Sequence, residues 1–300
     1  MTGIPQTSHN SPYTIGLIQM RCSKNPKESL AKAISMLEKA AKKGVQVACL
    51  PELFLTDYFC QRLDPDVFNL AEPADGPTTK ALAVIAKKYK MVIINSIFEK
   101  AAPGLYYNTA VTIDADGKIA DIYRKMHIPH DPLFEEKYYF APGDLGFRAC
   151  DTKAGRIGTL VCWDQWYPEG ARLTAMQGAT CLFYPTAIGW QPYEKKEFGE
   201  AQVSAWETMQ RSHAIANGVY VAAVNRIGHE GDKKGGIEFW GHSFICDPFG
   251  RILAMGSHDK EEVLTATVDP KWSEQTRRWW PFFRDRRVDA YGAITKRFGS

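Results

Sequence analysis

At 300 residues, with 45% hydrophobic and 24% charged side chains, the chain has an ordinary globular composition and is long enough to build one large core. A formal net charge of +3 over that length gives no bulk attraction for nucleic acid or an anionic membrane. No apolar run approaches the roughly 18 residues of a membrane span, and the N-terminal MTGIPQTSHNSPY is polar, without the apolar stretch of a signal peptide. Cys22, Cys49, Cys60, Cys150, Cys162, Cys181 and Cys246 are scattered and never spaced CxxC, which argues against a disulfide framework or a thiolate zinc site. A reducing cytoplasm is the expected setting. Nothing marks a linker, so residues 1–300 are read as a single domain, with about 270–300 as a C-terminal tail.

Thr14 to Met20 predicts a strand, followed by a helix from about Pro26 to Lys43 with Leu30, Ile34, Leu37 and Ala41 on one face and Gly44 as its stop. A strand at Val45 to Leu50 runs into PEL, and a helix at Thr79 to Tyr89 follows. Strands come next at Met91 to Phe98, Asn108 to Ile113 and Lys118 to Tyr123, the last two joined by the hairpin signal DADG. Arg124 to Gly146 is long, aromatic and proline-punctuated, as functional loops often are.

After a short strand at Phe147 to Thr152 the first pattern recurs. A strand at 156 to 161 leads to a helix at 168 to 177 that opens on Pro168 and is capped by Gly178. Strand Cys181 to Tyr184, a long helix from about Glu197 to Asn217 and strand Val219 to Arg226 come next. Strands at Phe239 to Asp247, Ile252 to Met255 and Val263 to Val268 close the pattern, with DPFG turning between the first two. Both halves read β-α-β-α-β-β-β, the second with one strand more. Two such units, each with helices on one face of its sheet, bury their remaining faces by packing sheet on sheet, which predicts a four-layer α-β-β-α sandwich with an internal pseudo-twofold repeat. A doubly wound sheet explains the three consecutive strands closing each half less well.

Three polar residues follow buried strands, where sites in such sheets gather: Glu52 after VQVACLP, Lys125 after IADIYR and Cys162 after RIGTLV. Cys162 falls in a sharp strand-to-helix connection, where a helix N-terminus would favour the thiolate. A cysteine hydrolase needs a base for the thiol, donors for the oxyanion and a proton for the leaving amine. Glu52 suits the base and then the acid. Lys125, with the backbone N–H of Trp163, suits the oxyanion, and Glu136 in the aromatic loop can hold Lys125 and the substrate nitrogen. His127, His130 and His213 have no context that makes a better partner for Cys162. There is no P-loop, GxGxxG or HExxH, so no nucleotide, metal or other cofactor is expected.

At these residues the chain resembles the nitrilase, or carbon-nitrogen hydrolase, superfamily. LPEL around Glu52, YRKMHIP around Lys125, EKYYFAPGD around Glu136 and GTLVCWDQWYPE around Cys162 carry the likeness, which runs from LIQM to the FRDRR of the tail. The resemblance implies the α-β-β-α fold, a catalytic set of Cys162, Glu52, Lys125 and Glu136, and homo-oligomers built from dimers. The arginine-rich aromatic tail, with Trp279, Trp280, Phe282 and Phe283, is then expected at a subunit contact rather than on nucleic acid. HIPHDPLFEEKYYFAPGD, CWDQWYPEGAR, FYPTAIG and NRIG look most like the amidase branch that opens the terminal ureido group of a carbamoylated diamine.

Tyr58, Trp163, Ala187 and Gln191 are the candidate substrate-binding residues. After TAIG some such amidases carry a small residue and an acid; here Trp190 and Gln191 stand there. An ammonium tail would need Glu194, Glu197, Asp131 or Glu135 instead. A ureido acid or an ω-amide is the alternative substrate, and a catalytically silent binding protein the alternative function.

Overall fold

The computed structural model describes residues 11–232 and 235–299; the first ten residues of the polar N-terminal segment, with Lys233, Lys234 and Ser300, lie outside the described residues. The first half runs β1 (Tyr13–Gln19), α1 (Pro26–Lys42), β2 (Val47–Cys49), α2 (Pro77–Tyr89), β3 (Val92–Ala102), β4 (Leu105–Ile113) and β5 (Ile119–Arg124). A single helical turn, α3 (Glu136–Tyr139), interrupts the aromatic loop before β6 (Ala149–Asp151). The second half runs β7 (Arg156–Thr159), α4 (Pro168–Met176), β8 (Cys181–Pro185), β9 (Gly189–Trp190), α5 (Lys195–Asn217), β10 (Tyr220–Val224), β11 (Ile227–Glu230), β12 (Ile237–Trp240), β13 (Phe244–Cys246) and β14 (Ile252–Met255). β15 (Glu262–Val268) and α6 (Pro270–Trp279) lead into the tail.

Two six-stranded sheets form, in the orders β15-β1-β2-β3-β4-β5 and β14-β13-β10-β8-β7-β6. Within them β1, β2 and β3 are parallel, as are β7, β8 and β10. Alternation along the strands sorts residues between layers. Ile15, Leu17, Val47, Cys49, Val92 and Ile94 meet Ile157, Cys181, Phe183, Ala222, Val224 and Ile245 in one core between the sheets. Their neighbours face outward: Ile18, Ala48 and Ile93 pack with Leu37, Leu82 and Ile85 of α1 and α2, and Leu182, Val221 and Ala223 pack with Ala171 of α4 and Trp206 and Ala214 of α5. The result is the expected α-β-β-α sandwich.

Two expectations about strands are corrected. Val263 to Val268 was assigned to the second half, yet β15 pairs antiparallel with β1, from Tyr13↔Val268 to Gln19↔Glu262. The short strand after β5 does the reciprocal thing, β6 pairing antiparallel with β7. Each half therefore gives its last strand to the other half's sheet, a choice of edge that alternation along a strand does not encode. The strand expected over Phe239 to Asp247 is two, because Gly241 and His242 take positive φ (60° and 50°) and break it. The first part, β12, joins β11 and β9 in a small third sheet.

Candidate active site

Three of the four site residues follow the ends of strands. Glu52 follows β2, and its backbone N–H donates across to the Thr186 carbonyl beyond β8 (3.4 Å). Lys125 follows β5, with its N–H on the Asn108 carbonyl of β4 (2.9 Å) and its own carbonyl accepting from Gly143 (2.8 Å). Cys162 turns off β7 with φ at 43°, and Leu53, beside Glu52, has φ at 46°; such left-handed strain in bulky residues concentrates at functional sites. Glu136 is the first residue of α3.

Glu52, Lys125 and Glu136 meet, and Cys162 lies within reach of their charges. Lys125 Nζ donates to Glu52 Oε1 at 2.7 Å and to Glu136 Oε2 and Oε1 at 2.7 and 2.9 Å. Asn108 Nδ2 donates to Glu52 Oε1 at 2.7 Å and Tyr58 Oη to Glu136 Oε1 at 2.6 Å. Glu52, Lys125 and Glu136 are fully buried and Cys162 is 4% exposed. Glu52 Oε2 is buried without a hydrogen-bond partner among the described residues. Among the described residues the thiol's one hydrogen-bond partner is the Ala187 carbonyl, at 3.8 Å from Sγ.

The electrostatics overturn one expectation. Burial first, then the Glu52 and Glu136 charges, push the Cys162 thiol well above its ordinary pKa, and Lys125 opposes them without prevailing. With both glutamates ionised the three charges sum to −1, so a thiolate would add a second negative charge in a buried space. Burial and the two glutamates thus favour the thiol and work against the thiolate expected from a helix end. Burial likewise disfavours the Lys125 ammonium, but Glu136 and Glu52 outweigh it and hold its pKa well above the usual value. Glu136 is raised to about 6, by burial first, with Lys125 opposing and Glu52 adding to the rise.

A cavity of about 260 Å³ reaches Cys162 and is lined also by Trp163, Ala187 and Gln191, three of the four candidate substrate contacts. Tyr58 is not on its wall; its hydroxyl is committed to Glu136 behind the cluster. His127 is tied to Asp164 and stacked on Tyr167, and buried His213 meets the Gln165 carbonyl through Nε2 at 2.7 Å, so neither serves Cys162. His130 pairs with Glu135. Among the described residues no group of His, Cys, Asp and Glu is arranged to hold a metal ion.

Sequence reasoning missed the braces of this site. Asp164, fully buried, accepts from Val161 N (3.0 Å), Tyr123 Oη (2.7 Å) and His127 N (3.0 Å), joining the Cys162 turn to the Lys125 strand. Arg226, also buried, donates to the carbonyls of Glu52 (2.6 Å) and Leu53 (3.0 Å) and pairs with Glu230 (3.0 Å). Gln165 Oε1 gathers Thr186, Trp206 and Gln210 at 3.1, 2.8 and 2.9 Å. A polar residue inside an apolar strand, as Asn108 is, was the available signal.

The family described as carbon-nitrogen hydrolase matches residues 14–278, and the chain belongs to it. It is 40% identical to an N-carbamoylputrescine amidase of Solanum lycopersicum, over 97% of each chain. It is 38% identical to a citrullinase of Francisella tularensis, over 95% of this chain and 98% of that one. The crystal structure of a carbon-nitrogen hydrolase from Helicobacter pylori G27 superposes with a TM-score of 0.93 at 45% identity, covering 96% of this chain and all of that one. The protein is accordingly an amide-hydrolysing enzyme with the nitrilase-superfamily fold.

Proposed function

We propose that the protein hydrolyses the terminal ureido group of N-carbamoylputrescine, giving putrescine, ammonia and carbon dioxide. The observation that carries this is the Glu52 carboxylate, one oxygen fixed by Lys125 and Asn108 and the other without a partner among the described residues, its charge felt by the buried Cys162 thiol that lines a small cavity. Glu52 takes the Cys162 proton as sulfur bonds to the ureido carbon. Negative charge gathers on the oxygen, where Lys125 and the Trp163 backbone N–H stabilise it. Lys125 has two of its three N–H bonds on one Glu136 carboxylate, so one can move to the oxyanion while the ion pair persists. The C–N bond then breaks, and ammonia leaves with the proton Glu52 had taken. Glu52 next deprotonates a water, which attacks the S-carbamoyl carbon. The C–S bond breaks, sulfur recovers its proton, and the carbamate released loses carbon dioxide to leave the diamine.

Among the described residues lining the cavity there is no Lys, Arg or His, so a ureido acid would bring its carboxylate to a wall without a cation. This favours an amine-tailed substrate. Because one relative is named a citrullinase, citrulline, which carries both an amine and a carboxylate, is the comparison to run. The test is ammonia release from N-carbamoylputrescine, citrulline, N-carbamoyl-β-alanine and an ω-amide by the wild-type and Cys162→Ser proteins. The expected result is strongest turnover of the diamine derivative, abolished in Cys162→Ser. Equal or greater turnover of N-carbamoyl-β-alanine overturns the substrate, and full activity of Cys162→Ser overturns the mechanism.

Two further readings belong with this proposal. The seven free cysteines suit a reducing cytoplasm, and no helix among the described residues is long and apolar enough to cross a membrane. The tail, with Trp279, Trp280, Phe282, Val288 and Ile294 exposed, is read as a contact between subunits of a homo-oligomer within the single 1–300 domain.

A further inference from the structure

The substrate proposed above has a second end, and the cavity wall is built unevenly. Asp131, Glu194 and Gln202 line the same cavity as Cys162, together with the rings of Trp166, Trp240 and Phe134. Gln202 Oε1 is buried with no hydrogen-bond partner among the described residues. Buried polar atoms in a cavity wall are penalised until something pairs with them. Three acceptor-bearing side chains around an aromatic space match a primary ammonium, which has three N–H donors and gains from ring faces.

Gln191 accounts for how the acids are placed. Its Nε2 donates to the Pro132 carbonyl at 2.6 Å, and its backbone N–H donates to Glu194 Oε1 at 3.1 Å. It thus ties the stretch carrying Asp131 to the turn carrying Glu194. The acid absent after TAIG is replaced by acids on either side, with Gln191 as the clasp. Glu197 and Glu135, the other candidates, are not on the wall.

We propose that Asp131, Glu194 and Gln202 form a subsite for the substrate's free ammonium, with Gln191 a positioning residue that fixes the two acids; this rests on the ureido-hydrolase reading and deepens it. A cavity this small suits a short aliphatic chain between the two ends.

The test compares N-carbamoylputrescine with N-butylurea, the same chain without the ammonium, by kcat and KM. The wild-type protein is expected to prefer the cation by about tenfold or more in kcat/KM. An Asp131→Asn, Glu194→Gln double variant should lose most of that preference through KM, Gln202→Leu part of it, and Gln191→Ala an intermediate share, also in KM rather than kcat. Continued turnover of N-butylurea reports that the variants fold. Calorimetric binding of putrescine, weakened about tenfold or more in the double variant, reads the subsite without catalysis. Equal kcat/KM for the two ureas in the wild-type protein, or unaltered preference and putrescine binding in the double variant, overturns the subsite and leaves the hydrolase reading standing. No turnover of either urea overturns both.

Discussion

A sulfur nucleophile held toward its thiol form needs a base within the same buried cluster, the role we propose for Glu52. Because the Glu52 charge follows burial as the largest influence raising the Cys162 pKa, removing it should lower that pKa while stopping turnover. We predict that Glu52→Gln moves the midpoint of the pH dependence of iodoacetamide alkylation at Cys162 downward. A midpoint that stays or rises contradicts the charge arrangement described here. Glu136 gives a second sign. Its carboxyl is raised to about 6, so as pH falls through that value it takes up a proton and loses its hold on Lys125. Activity should fall along an acid limb near pH 6, and Glu136→Gln should remove that limb together with most of the activity. A limb unchanged in the variant assigns it elsewhere. Cys162, Glu52 and Lys125 were legible because each ends an apolar strand. Asn108 and Asp164 were not, since a polar residue whose partners lie far along the chain reads locally as an interruption.

The connecting segments keep those groups in register. Gly143 lies so close to Arg124 that a Cβ would sit inside the contact distance of its carbonyl oxygen and against that of Lys125. Gly143→Ala should therefore displace the Lys125 backbone and lower kcat about tenfold or more, a loss expected from misplacing a positioned group; unaltered kcat would show that the ammonium tolerates the shift. Asp164 acts at the same level, one carboxylate holding the Cys162 turn to β5 and the loop beyond it. Asp164→Ala leaves the Val161 and His127 N–H groups and the Tyr123 hydroxyl unpaired, at a cost of about 3 kcal/mol in urea unfolding. A loss below about 1 kcal/mol would mean that other groups replace it. Periodicity placed α1, α2, α4, α5 and the long strands, but not the single turn α3 or the helix α6 at the head of the tail. It missed β9 and β11, too short or too glycine-rich to show a period, and ran β12 into β13 across a left-handed corner.

The two halves are fastened by exchange as well as by packing. β15 and β6 each complete the opposite sheet, and Tyr13 of β1 bonds through its hydroxyl to Thr180 beside β8 (3.0 Å). The site sits on this junction, Glu52 and Lys125 coming from one half and Cys162 from the other. The tail extends the same logic outward. Arg172 Nη1 is buried without a hydrogen-bond partner among the described residues, while its guanidinium faces the Phe283 ring at 5.0 Å. With Trp279 58% and Val288 69% exposed nearby in sequence, we predict that the protein sediments as a dimer or larger. Trp279→Glu with Val288→Glu should shift it toward monomer in analytical ultracentrifugation, whereas a monomeric wild-type protein would remove the subunit reading of the tail.

The order of elements, the layer each strand residue faces and the chemistry available at Cys162, Glu52, Lys125 and Glu136 were determined by the sequence, because strand alternation, helical spacing and strand-end placement are local properties. Tertiary structure alone decided which sheet received each last strand, which buried carboxylates and amides brace the centre, and whether the sulfur rests as thiol or thiolate. Those outcomes depend on groups distant in the chain sharing one low-dielectric space, where desolvation and the sum of neighbouring charges outweigh any residue's own preference.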